Sequence, residues 1–143
     1  MMLELLEPLH PKMVHFPVAL FITALILEVL SFINKKDVWH KSALILYVLA
    51  ALMTPLVVRT GMWEVERIGL SHPILDSHRL FALWTMWVSL MSLPLLYLLY
   101  KEKQKWLKPI FVCLIIAVAV LVTLAGHYGG TMVYEYGVGA GAF

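Results

Sequence analysis

The sequence predicts an all-α integral membrane protein, a four-helix bundle with both termini on the outer (periplasmic) face, and three observations predict it. Hydrophobic residues make up 62% of the 143 positions and the mean hydropathy is +0.86, whereas soluble domains are about 45–50% apolar. Four runs, at about 13–33, 42–58, 80–100 and 109–127, match the roughly 20 apolar residues with which a helix crosses hydrocarbon. Seven of the 11 lysines and arginines lie in or beside two short connections: Lys35, Lys36 and Lys41 in the first, and Lys101, Lys103, Lys105 and Lys108 in the third. The positive-inside rule makes those connections cytoplasmic, which leaves the termini and the second connection outside.

Residues 1–143 read as one transmembrane domain without internal repeats or low-complexity segments. The opening Met1-Met-Leu-Glu-Leu-Leu-Glu-Pro8 lacks the positive charge of a signal peptide, so the first helix is expected to be retained. Residues 1–9 form a short mixed segment on the outer surface. Pro11 suits a first helical position, and Pro17 should loosen the turn it sits in by removing a hydrogen bond to Met13. Glu28 lies deep in this helix, where an ionisable group marks a functional site by default. The competing expectation is that it snorkels toward the lysines of the first connection.

The second run is followed by Gly61-Met-Trp-Glu-Val-Glu-Arg-Ile-Gly69, whose mixture of charges with Trp63 and Ile68 suits a helical extension or an interfacial segment. Ser77 is placed to cap the third helix, with Asp76 adding charge at its N-terminus. The fourth begins at Pro109 and is expected to break at Gly126, Gly129 and Gly130. The Gly-rich tail should fold over the outer end. Trp39, Trp106, Tyr97 and Tyr100 mark one interface, and Trp63 and Tyr128 the other.

The net charge of +2 is accounted for by the lysine-bearing connections, and no base-reading or phosphate-cradling motif accompanies it, so nucleic acid is excluded as a partner. Cys113 is the only cysteine. It excludes a disulfide, a thiolate zinc site and a Cys-x-x-Cys-His haem attachment. No di-iron or oxygenase carboxylate spacing and no hydrolytic triad is present. The chain reads as an electron carrier or subunit rather than a stand-alone enzyme.

Five of the six histidines, His10, His15, His72, His78 and His127, fall on the predicted outer side. His15, His78 and His127 come from three helices at similar depth, each above a stripe of small or hydroxyl residues: Ala19 and Thr23; Ala82, Thr85 and Ser89; Thr123 and Ala119. Such stripes mark packed helix faces in membranes, so all three imidazoles are expected to point inward. His15 is then the inner ligand. His10, five residues or about 7.5 Å of helix further out, is a second-site or solvent-facing candidate. Two neutral imidazoles on facing helices, each with its other nitrogen held by a hydrogen bond, suit haem b. His15, His78 and His127 alone would suit copper or zinc, with thioethers of Met13, Met62 and Met132 favouring copper(I). A purely hydrogen-bonded histidine layer, in a structural subunit of a larger complex, is the remaining alternative.

The segments His10-Pro-x-x-Val-His15-Phe-Pro17-x-Ala-Leu, His78 opening the third helix, and Gly126-His127-x-Gly-Gly-x-x-Val-Tyr134-x-x-Gly137-Val-Gly139 resemble, over the whole chain, the bacterial membrane family known as domain of unknown function 2231. The ending Gly139-Ala-Gly-Ala-Phe143 departs from the family's usual terminal valine. The resemblance implies a multi-pass protein of the bacterial cytoplasmic (inner) membrane. It maps the family's histidines onto His10, His15, His78 and His127, the four that the histidine reading makes candidate cofactor ligands. Because members accompany c-type cytochromes and other redox modules, it also implies electron transfer. The expected function is a haem b electron-transfer protein working between the quinone pool or a partner subunit and a periplasmic c-type cytochrome or other redox protein, alone, as a homo-oligomer or within a complex.

Overall fold

The computed structural model describes residues 9–69, 71–101 and 105–137. They form α1 (Leu9–Asn34), α2 (Asp37–Ile68), α3 (Pro73–Met91), α4 (Leu93–Tyr100), a 3₁₀ turn (Lys105–Leu107) and α5 (Lys108–Tyr134). No strand occurs among the described residues. α1, α2 and α5 are each long and apolar enough to cross a membrane, and α3 with α4 makes a fourth span if that bent pair is taken as one. The outward surface is apolar: Ile26, Val29, Leu52, Trp84, Trp87 and Val120 are each about half exposed. That is costly against water and natural against acyl chains.

α1 buries Pro17, Phe21, Ala24, Glu28 and Ser31, a 4-3-4-3 spacing that keeps one face inward. Pro17 lies inside a continuous helix rather than ending it. A two-residue turn leads into α2, with Lys35 at φ 51°, the one described non-glycine residue with positive φ. At 32 residues, α2 is about 48 Å long and outruns the roughly 30 Å hydrocarbon core. The 59–68 stretch is thus a helical extension, closed by Gly69 at φ 64° with its N–H on the Val65 carbonyl.

Three expectations are corrected here. α3 is capped by His72, whose Nδ1 accepts from the Ile74 N–H at 3.2 Å, while Ser77 lies inside the helix. Pro73 supplies a preset first turn, so the helix starts earlier. The third span is broken at Ser92 by 40°. Pro94 removes a backbone donor there, and Ser92 Oγ donates to the Ser89 carbonyl at 2.7 Å and meets Tyr47 Oη at 3.0 Å. α5 runs unbroken through Gly126, Gly129 and Gly130 to Tyr134, because intrahelical hydrogen bonding outweighs the roughly 1 kcal/mol cost of each glycine. Of the tail expected over 131–143 to be non-helical, residues 131–134 belong to α5; residues 138–143 of it, and residues 1–8 of the expected surface segment, lie outside the described residues.

α1 packs most extensively on α2, and α3 on α5; the contacts α1–α5 and α2–α3 are thinner. The packing order runs α1, α2, α3, α5 and back to α1, so two tight pairs meet along a seam. Phe21, Tyr47 and Phe111 fill the centre in edge-on contacts at 5.2 and 5.7 Å.

Candidate functional site: two imidazoles across the seam

His10 and His78 bring one imidazole from each pair to the seam, with ring centroids 6.2 Å apart and planes at 86°. His10 Nδ1 lies 3.0 Å from the Val57 carbonyl and 3.3 Å from Thr60 Oγ1. His78 Nδ1 lies 2.8 Å from the Ala125 carbonyl. A carbonyl can only accept, so both Nδ1 atoms carry the proton and donate it. Each neutral ring therefore keeps its Nε2 lone pair free, and no described residue hydrogen-bonds to either Nε2. This is the arrangement that orients a metal-ligating histidine and raises its basicity.

A glycine backs each ring. A Cβ at Gly61 would sit 2.9 Å from His10 Cε1, and one at Gly129 would sit 3.2 Å from His78 Cε1 and Nδ1. α2 and α5 thus supply both the anchoring carbonyl and a glycine that leaves room for the ring. Gly129→Ala and Gly61→Ala are expected to displace the rings and destabilise the fold by about 1–3 kcal/mol, measured by thermal unfolding in detergent. Gly126→Ala, with open space at its Cβ, should have no such effect. Beneath the rings lies an apolar cavity of about 60 Å³, bordered by Pro17, Thr54, Val57, Thr85 and Val122.

The other expected ligands lie elsewhere. His15 is exposed, and its Nδ1 donates to the Pro11 carbonyl at 2.6 Å. His127 is exposed beside the Tyr128 ring at 5.5 Å. The expectation that His15, His78 and His127 converge is therefore corrected. Among the described residues, no three His, Cys, Asp or Glu side chains form a metal-holding group. The relation of His15 to His10 is also reversed, with His10 facing inward. Five residues turn a helix by about 140°, so similar depth did not mean the same face. Ala19 and Thr23, below His15, are exposed too.

A signal for the true inward face was present. Glu28 and His10 are 18 residues apart, about five whole turns, and an intramembrane carboxylate faces the protein interior. Glu28 does not snorkel. It is 1% exposed, and Oε2 accepts from His40 Nδ1 at 2.7 Å, while Oε1 has no partner among the described residues. His40 was not singled out from sequence. Its mark was being the only histidine within reach of Glu28 across the α1–α2 hairpin.

A protein-family profile described as "Predicted membrane protein (DUF2231)" matches residues 6–142. No curated protein and no solved structure matches the chain.

Proposed function

The chain belongs to the DUF2231 family of predicted membrane proteins, and from that premise we propose that it is a four-helix membrane electron-transfer protein holding haem b between His10 and His78. The observation that carries this reading is the facing pair itself. Two imidazoles on opposite sides of one metal have ring centres about 6 Å apart, given metal–nitrogen bonds near 2 Å and ring centres about 1 Å beyond, and the rings stand 6.2 Å apart. Val57 and Ala125 hold the tautomers, and the valine, proline and threonine walls exclude water. A flat ligand entering the seam between the two helix pairs would be flanked by one imidazole from each. Bound haem would supply one-electron redox chemistry; the chain supplies ligands, orientation and a low dielectric.

We place the histidine end at the outer face of a bacterial cytoplasmic membrane, with both termini there, because the opposite end carries seven of the eight lysines. A periplasmic c-type cytochrome or similar redox protein would then exchange electrons at the histidine end, with quinone or a partner subunit on the other side of the exchange. One observation favours a second reading, a single copper(I) ion on the same two nitrogens. The cavity of about 60 Å³ is below the roughly 300 Å³ at which ligand pockets begin, so a flat ligand fits only with the two pairs further apart.

Reduced-minus-oxidised spectra of the purified protein, with haem extraction and metal analysis, test the assignment. A Soret and an α-band are expected. Stoichiometric copper without haem selects the second reading, and neither haem nor metal overturns both.

A further inference from the structure

At the end remote from His10 and His78, the α1–α2 turn and the start of α5 enclose a cleft of about 310 Å³ lined by Ser31, Phe32, Lys35, Lys36, Asp37 and Lys108. Three lysines and one aspartate are among its lining residues. None of the three lysines forms an ion pair with a described residue. Lys108 Nζ instead donates to Ser31 Oγ at 3.5 Å and rides 4.8 Å above the Phe32 ring. It is thereby held at the cleft rather than free in solvent.

The backbone adds to this positive field. α2 and α5, the two longest helices among the described residues, both begin at the cleft, and neither has a side-chain cap on its first turn. α2 leaves its first N–H groups without an intrahelical partner, whereas α5 continues the 3₁₀ turn and has Pro109 as its second residue; both bring the positive end of a helix dipole to the same place. Asp37, in the first turn of α2, offsets only part of that charge. Lys35 takes its left-handed conformation at φ 51°, where glycine or asparagine would fit with less strain. The strained turn keeps a cation, rather than a small residue, at the cleft mouth.

The surroundings are apolar. Phe32 is 53% exposed, Ile33 69%, Val38 59% and Trp106 70%, in a chain whose helices suit a bilayer. We propose that this cleft binds the phosphate group of an anionic ligand, with an anionic glycerophospholipid headgroup as the source that best matches the setting. Lysines and helix N-termini take the phosphate, while the exposed aromatic and aliphatic rim takes the start of the acyl chains. The site is independent of what His10 and His78 hold, since roughly 27 Å of helix separates His10 from Glu28, one turn before Ser31.

Native mass spectrometry of the detergent-purified protein titrated with phosphatidylglycerol, phosphatidylcholine or inorganic phosphate tests this. Wild type is expected to retain phosphatidylglycerol at least tenfold better than phosphatidylcholine. Lys36→Gln with Lys108→Gln should remove that preference, whereas Lys101→Gln, at the same end but outside the cleft, should keep it. Ser31→Ala, which leaves the charge untouched, should weaken retention several-fold. Displacement of the lipid by millimolar inorganic phosphate would support the phosphate site and identify free phosphate as a competing source. Equal loss in Lys101→Gln and the cleft variant, or no preference in wild type, would overturn the proposal. Circular dichroism of each variant separates loss of the site from loss of the fold.

Discussion

In His10→Ala and His78→Ala proteins the reduced-minus-oxidised bands, or the copper content under the second reading, are expected to vanish, while His15→Ala and His127→Ala retain them. The inner pair owes its role to geometry: each ring is fixed through Nδ1 to a main-chain carbonyl on a neighbouring helix, and the two centroids stand 6.2 Å apart. His15 spends its Nδ1 on the carbonyl of its own helix at Pro11 and is exposed, as is His127. Loss of either inner imidazole removes half of a two-ligand set, so affinity should fall by more than the roughly 10–100-fold that loss of an outer hydrogen-bond partner costs. Full retention of cofactor in His10→Ala, or its loss only in His15→Ala, would place the site on the other pair of histidines.

The second large effect concerns stability. His40→Ala should lower unfolding free energy by about 3–5 kcal/mol, because it strands the buried Glu28 carboxylate. Glu28 has 2% of its side chain exposed and His40 13%, and their hydrogen bond is 2.7 Å long. Among the described residues the His40 imidazole is the partner of Glu28, and Oε1 has none. Replacing both residues by leucine removes the charge together with its partner and should cost far less, for a buried pair is commonly no more stabilising than well-packed apolar side chains. Thermal and denaturant unfolding in detergent measure both variants. Equal losses for His40→Ala and the double leucine variant would mean that packing at Phe111, 5.9 Å from the His40 ring, outweighs the charge.

Much of the fold was legible because a bilayer imposes simple rules. A span must satisfy its backbone internally and run about 20 apolar residues, so the regions of α1, α2, α3 with α4, and α5 stood out. The family could be named from His10, His15, His78, His127 and the glycine motif, and the profile match over 6–142 agrees. What failed was rotation and continuity. A stripe of small residues was read below His15 although that face is exposed; Glu28 would have set the phase correctly. Gly126, Gly129 and Gly130 suggest a helix end, yet Gly129 is where the Cε1–Nδ1 side of the His78 ring comes close to α5. Ser92 gave no warning of a break, because Pro94 and the Tyr47 hydroxyl act on it together.

The sequence by itself determined that the chain is apolar, helical and membrane-spanning, where its lysines gather, and which family it belongs to, since these follow from local composition and motif. Only the tertiary structure decided that His10 meets His78, that Glu28 takes His40, and that three lysines border one cleft. Those pairings depend on how each helix is turned about its axis and on main-chain carbonyls of Val57 and Ala125. Every residue type offers the same carbonyl, so no pattern of side chains could have announced which carbonyls fix His10 and His78.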